Sequence, residues 1–414
     1  MMTKHATKIL VLGGGYAGIM ATLRLAGKTK WLNTQITLVN GLDHFVERPR
    51  LHEAATGAKI RQPGIAHLLR GTAVTFVRGW ATAIDTDVQT VALKTEEGEK
   101  TLGYDYLVYA LGSQTRRQGV PGMAQFAYTL DAVGKRTTRA LQSRLNKLLP
   151  GKTVTVVGGG ATGLEVACEV KANYPQSVVK LVTAGAAGDF KGERIQTHLL
   201  EALAEQGIEL HENSPVQMVC EDGVQLQDGR FLPAAATIWC SGFQVPGLAK
   251  EAGLPVNGLN QLLADPFLRS TGYANIYAVG DAVNPVEDPG TPVRMSLFVA
   301  LVTGALAADN ITAVLKQKSQ RPLSFATYGQ AIGMGPHDAV GFNTFPADRA
   351  VGPVFRRKTA VRLRSFFVWL LLAFLKIERR LPGFFFWFGK GRFARQQKKV
   401  GKMETAVGRL ESGD

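Results

Sequence analysis

Two stretches of the chain put glycines where a backbone could hold a phosphate. The run Lys8-Ile9-Leu10-Val11-Leu12 leads into Gly13-Gly14-Gly15-Tyr16-Ala17-Gly18, and Ile19 to Ala26 continues with helical character. In a strand, turn and helix of this kind, Gly13 permits the tight turn and Gly15 admits a pyrophosphate against the backbone. Gly18 lets the helix pack on the strand, and the helix N-terminus faces the anion. The same order returns 145 residues later, where Thr153 to Val157 leads into Gly158-Gly159-Gly160-Ala161-Thr162-Gly163 with Glu165 just beyond, followed by a helical stretch and the strand Val178 to Thr183. One such motif is weak, but two in matching context predict two dinucleotide-binding units.

The residues that would meet each adenosine ribose depart from the usual acid. The strand Gln35 to Asn40 ends 22 residues after Gly18, and Asn40 can bond a ribose hydroxyl only without charge. Thr183 holds the equivalent place in the second unit, so the acid that disfavours a 2′-phosphate is missing there. NADH is the preferred reductant on this reading, with NADPH also open. Two further buried strands end in polar turns, Tyr104 to Ala110 with Leu111-Gly112-Ser113, and Asn275 to Val279 with Gly280-Asp281. An acid at a strand's carboxyl end is where α/β proteins bind ligands, although a plain turn aspartate fits the same pattern.

With these four strand ends in place, residues 6–310 resemble the flavoprotein reductases that carry two dinucleotide-binding domains. The resemblance implies FAD at Gly13, Gly15, Tyr16, Ala17, Gly18, Asn40 and Arg48, with Ala110 and Gly112 marking the crossing into an NAD domain. It also implies a return at Gly280 and Asp281, the aspartate bonding the ribityl chain, and NAD(P)H at Gly158, Gly160, Gly163, Thr183 and Gly242. Within that superfamily the chain is most similar to type II NADH:quinone oxidoreductases and the apoptosis-inducing-factor-like reductases. Three features carry this: the segment His44 to Gly57 beside the expected flavin, Trp239-Cys240-Ser241-Gly242-Phe243 closing the NAD domain, and Glu165 after the second glycines. The family places such a glutamate near flavin and nicotinamide, which would make Glu165 the catalytic residue; an acid in a helix's first turn is also favoured by the dipole alone.

Two departures qualify the match. The family's Ala-Gln pair at the quinone ring is replaced by Arg294-Met295-Ser296-Leu297-Phe298, without glutamine. The loop carrying Arg48, Arg50 and His52 is more basic than expected; it would stabilise an anionic reduced flavin, bind an acidic acceptor, or make only phosphate or surface contacts.

The elements that must position these residues belong to a chain of 414 residues with 45% apolar content and 46 glycines, enough for two to three cored domains. Disorder, collagen and coiled coil are excluded. The net charge of +15 is concentrated: from Arg356 to Lys402 there are fourteen basic residues and a single acid, Glu378. The body is nearly balanced, which argues against nucleic acid as a partner. The cysteines Cys168, Cys220 and Cys240 match neither a zinc site nor a redox pair, so they read as core thiols and no metal is expected. The first apolar run begins at Ile9, leaving no room for a signal peptide and placing the chain on the cytoplasmic side.

Residues 354–403 are basic and aromatic. The apolar run Phe366 to Leu375 is ten residues long, about half of a bilayer span, and it is followed after Pro382 by Phe384-Phe385-Phe386-Trp387-Phe388. Cations around exposed aromatics fit an element lying in an anionic membrane interface. A core helix pair or homodimer seam, a short tilted span and nucleic-acid binding are the alternative uses of the same residues.

The expectation is an α/β protein of two Rossmann-like domains, with the NAD domain inserted in the FAD domain. The FAD domain would comprise residues 1–115 and 245–315, the NAD(P)H domain 116–244, and a C-terminal membrane-associating region 316–414. The resemblance implies an FAD-dependent NAD(P)H dehydrogenase that reduces a membrane quinone without pumping protons, peripheral on the cytoplasmic face. A reductase for a soluble electron carrier or other hydrophobic acceptor is the alternative within enzymes. A membrane-tethered redox sensor with incidental turnover is the alternative outside them.

Overall fold

The computed structural model describes residues 5–189, 192–287, 293–345 and 350–390. Residues 391–403 of the expected interfacial element therefore lie outside the described residues. Thr7–Leu12 is apolar on both faces, which suits a central parallel strand, and its last four residues are fully buried. It lies at the centre of a five-stranded sheet in the order Ile276–Ala278, Tyr106–Tyr109, Thr7–Leu12, Thr34–Asn40, Thr75–Arg78, with every pairing parallel. The order of strands reverses beside Thr7–Leu12, the position at which open α/β sheets leave a ligand crevice at their carboxyl ends.

A second parallel sheet has the order Glu209–His211, Val178–Val182, Thr153–Val157, Ala236–Trp239. The chain passes between the sheets through Gln114–Thr115 and Phe243–Gln244, which pair antiparallel as a two-stranded hinge. Each sheet has a three-stranded antiparallel companion, at Trp80–Gly103 and Val216–Pro233. The helix Leu297–Leu315 is long and apolar enough to cross a bilayer, but it is mostly buried. It lies along the first glycine helix, Tyr16–Lys28, and is a core element.

The C-terminal region is more structured than the sequence suggests. Gly329–Gly333, Ala339–Asn343 and Val351–Arg356 form an antiparallel sheet, and the helix Arg357–Arg380 follows directly. That tail helix buries Ala360, Leu375 and Glu378 and exposes Phe366, Phe367 and Trp369. The aromatics after Pro382 do not all face solvent as expected. Phe385 and Trp387 are each 1% exposed, while Phe384, Phe386 and Phe388 are 51%, 59% and 54% exposed. The segment is extended, so alternate side chains face opposite ways, and the inner two join the core of the first sheet.

Candidate functional site

At the carboxyl edge of the first sheet a cavity of about 440 Å³ is lined by Gly14, Gly15, Tyr16 and Ala17 from the first turn, and by Asn40, Ala110, Gly112, Ser113, Gly280 and Asp281 from the neighbouring strand ends. A Cβ on Gly18 would lie 1.8 Å from the Gly13 carbonyl oxygen, so only glycine lets the helix start this close to the turn. Gly15 caps that helix without any side-chain hydrogen bond, and a Cβ there would meet open space. The free amides at the N-terminus of the helix Tyr16–Lys28 and the open face of Gly15 together fit a dinucleotide pyrophosphate.

Three loops then meet across the cavity. Arg48 donates through Nη1 to the Ser113 carbonyl, and Ser113 donates through Oγ to Asp281 Oδ2 at 2.6 Å. Gln261 donates to the Asp281 carbonyl at 2.9 Å. The acid is thus held by its backbone and by one carboxylate oxygen. Asn40 lines the cavity but is engaged locally: it accepts from the Gly14 amide at 2.8 Å and donates to the Leu42 carbonyl at 2.7 Å. Its first task is to hold the glycine turn.

The second turn repeats the first. A Cβ on Gly163 would lie 1.7 Å from the Gly158 carbonyl, and Gly160 again faces open space. Thr183 is buried beside it, its amide bonded to the His211 carbonyl and its carbonyl to the Ser214 amide. The Gly242 carbonyl accepts from Arg116 where the two hinge strands cross. Thr162 from the second turn and Phe243 from the hinge also line the first cavity, so the two turns face one space.

Glu165 lies one helical turn beyond Thr162 and is held by the C-terminal region. Its Oε1 accepts from the Gly333 amide at 3.1 Å and from Arg364 Nη2 at 3.4 Å. Arg364, on the tail helix, also reaches Glu53 Oε1 at 3.3 Å and His52 Nε2 at 3.2 Å. A guanidinium only donates, so His52 Nε2 is unprotonated; burial holds this imidazole below its usual pKa. Burial works against the Glu53 carboxylate too, yet its hydrogen bond from Arg50 keeps it below the ordinary range. Arg50 is therefore paired with Glu53 and Glu47 rather than presented to a ligand. Sequence reading missed this cluster of His52, Glu53, Glu169 and Arg364; the one local signal was the spacing of Glu165 and Glu169, four residues apart on one helix face.

Burial pushes Glu169 from about 4.5 up to about 7, with Glu53 adding to the effect. Because the folded-state value lies above the unfolded one, its contribution to stability is complete below about pH 4.5 and is lost as pH rises through 7. Glu169→Gln should flatten the fall of Tm across that window. Parallel melting curves of the two proteins between pH 4.5 and 8 would count against this if they kept a constant separation.

At the start of the helix Leu297–Leu315, where glutamine was missing, Phe298 packs edge-on to Tyr328 with ring centres 5.1 Å apart. Tyr328 in turn meets Phe388 at 4.7 Å and stacks on Phe345 at 6.4 Å. Met295, Ser296 and Leu297 line the cavity directly before this aromatic group. None of the three cysteines does. Cys168 and Cys240 are buried, and burial raises both thiols, Cys240 to about 12.

Residues 7–304 match the family model described as pyridine nucleotide-disulphide oxidoreductase. Over 370 residues the chain is 27% identical to the type II NADH:quinone oxidoreductase of Staphylococcus aureus, covering 82% of this chain and 90% of the relative. The sulfide:quinone oxidoreductase of Aquifex aeolicus superposes with a TM-score of 0.74 at 21% identity, over 92% of this chain and 94% of that one. The NDH2 of Plasmodium falciparum, solved with NADH, gives 0.73 at 18% identity over 93% and 99%. The likeness to these two structures is one of fold.

Proposed function

The chain belongs to the pyridine nucleotide-disulphide oxidoreductase family, and from that premise we propose that it is an FAD-dependent oxidoreductase taking two electrons from NADH and delivering them to a membrane quinone, without moving protons across the membrane. The observation that carries this reading is that Thr162 and Phe243, from the second dinucleotide unit, line the cavity of the first. When bound, FAD supplies the two-electron acceptor and donor chemistry that no side chain here offers.

The chain's own residues would bind and orient. The amides at Gly15–Ala17 would hold the FAD pyrophosphate, and Asp281, fixed by Ser113 and Gln261, would accept from the ribityl hydroxyls. Gly160 and the helix Ala161–Asn173 would hold the NADH pyrophosphate, with Thr183 at the adenosine ribose. Glu165 would position the nicotinamide side through its anchorage to Gly333 and Arg364. The quinone is favoured over a disulfide acceptor because no cysteine lines the cavity and two of the three are buried, and because Met295 and Leu297 give the acceptor side an apolar wall. The S. aureus relative, named for NADH and quinone, supports the same choice.

The exposed Phe366, Phe367 and Trp369 with the cations around them would hold the protein on an anionic cytoplasmic leaflet, where a lipid-soluble acceptor is within reach. Anaerobic NADH should bleach the flavin band, and a short-chain quinone analogue should restore it within the mixing time of a stopped-flow instrument. Absence of bleaching sinks the dehydrogenase reading. Bleaching that only a soluble electron carrier reverses sinks the quinone.

A further inference from the structure

A second cavity, of about 670 Å³, runs between residues 45–68 and the tail helix, away from the dinucleotide turns. Its floor is apolar: Phe45, Leu68 and Leu375 are buried and Leu372 is half-buried. Its inner end is neutralised, since Arg50 pairs with Glu47 and Glu53, and Arg364 with Glu53. Its rim is not. Lys59, Arg61 and Lys376 line the groove and are exposed, and among the described residues no carboxylate lies within salt-bridge distance of any of them. Trp369, 62% exposed, stands at the same groove, with Phe366 and Phe367 exposed on the adjoining turn.

We propose that this groove binds one molecule of an anionic phospholipid, its phosphate against Lys59, Arg61 and Lys376 and an acyl chain over Phe45, Leu68 and Leu372. Three unpaired cations above an apolar floor require an occupant that is anionic at one end and apolar at the other. The chain's own last segment is disfavoured by charge, because residues 391–414 hold six basic residues against three acids and so are net positive like the rim. A quinone would leave the rim cations unmatched. An acidic protein partner would match them but would leave the apolar floor and the aromatic ridge uncovered. The assignment rests on the membrane-facing part of the proposed function and deepens it by naming the lipid class and the site.

Binding is read independently of turnover, so its failure is distinguishable from failure of the dehydrogenase reading. The FAD-loaded full chain is melted with dihexanoylphosphatidylglycerol below its micelle concentration, where no membrane surface exists. A rise in Tm of about 2 °C is expected, absent with dihexanoylphosphatidylcholine, with inorganic phosphate and with a hexaglutamate peptide at equal concentration. The triple variant Lys59→Gln, Arg61→Gln, Lys376→Gln should lose the rise. A charge-matched control of Lys358→Gln, Arg362→Gln and Arg380→Gln, exposed cations outside the groove, should keep it. The proposal is overturned by an equal rise with the zwitterionic lipid, the phosphate or the peptide, by a rise that survives the groove triple, or by its loss on adding a short-chain quinone.

Discussion

Gly163→Val should yield a yellow protein that NADH bleaches roughly a hundredfold more slowly, whereas Gly18→Val should yield a largely colourless one. Both substitutions introduce the same side chain into equivalent turns, with a Cβ 1.8 Å from the Gly13 carbonyl in one case and 1.7 Å from the Gly158 carbonyl in the other. Neither distance can be absorbed by a rotamer, because the atom met is backbone. The helix must therefore move away from its strand by more than an ångström, taking its N-terminal amides out of reach of the pyrophosphate. Misplacement on that scale costs roughly a hundredfold in the affected step. At Gly163 the loss should fall on kcat/KM for NADH, while dithionite still reduces the retained flavin. At Gly18 it should fall on flavin retention, read as absorbance per mole of purified chain. The paired design separates the assignments: if Gly163→Val loses its flavin, or Gly18→Val keeps flavin and loses only NADH, the two turns have been given the wrong cofactors.

The turns were legible in the sequence because their chemistry is local. Gly13 to Gly18 and Gly158 to Gly163 each sit between an apolar strand and a helix within a few residues, and no distant contact is needed to see them. Asp281 was legible only as an acid at a strand end. What fixes it is the Oγ of Ser113, 168 residues earlier, a contact that exists because the strands Tyr106–Tyr109 and Ile276–Ala278 are neighbours. Arg364 was invisible for the same reason in stronger form. It looked like one cation in a basic run, yet its partners Glu53 and Glu165 lie 311 and 199 residues away. The sheet spanning Gly329–Arg356 went unread because its strands carry Gly329, Gly333 and Gly341, poor strand formers whose pairing is decided by packing.

These tertiary contacts change what the tail is. A basic, aromatic segment invites description as a separate membrane address attached to an enzyme. In the fold it reaches both functional regions: Arg364 touches the loop beside one cavity and the helix leading from the second turn, while Phe385 and Trp387 enter the core under the first sheet. The outward aromatics stay exposed while the inward ones are buried in the body. On the proposed function, one helix would therefore couple membrane contact to the geometry around Glu165.

Glu378→Ala should destabilise the protein by about 3–5 kcal/mol and release the tail to proteolysis. Glu378 is the lone acid among the basic residues of the tail, and its side chain is fully buried against Arg24, itself 1% exposed. The pair is bidentate, at 2.6 and 3.1 Å, and the same carboxylate accepts from the amides of Gly383 and Phe385. Arg24 completes the junction by donating to the Phe385 carbonyl at 2.8 Å. Alanine would leave the Arg24 charge in the core with only Asp309, at 3.3 Å, a partner it shares with Lys28. The double change Arg24→Met, Glu378→Leu removes both charges and fills their volume, so it should recover most of the loss. Arg24 lies on the helix that begins at Tyr16, so the single variant should also release flavin at a temperature where the double variant holds it. Denaturant unfolding followed by flavin fluorescence measures both effects at once. A cost below about 1 kcal/mol for the single change, with no recovery in the double, would show that the buried pair does not hold the tail to the body.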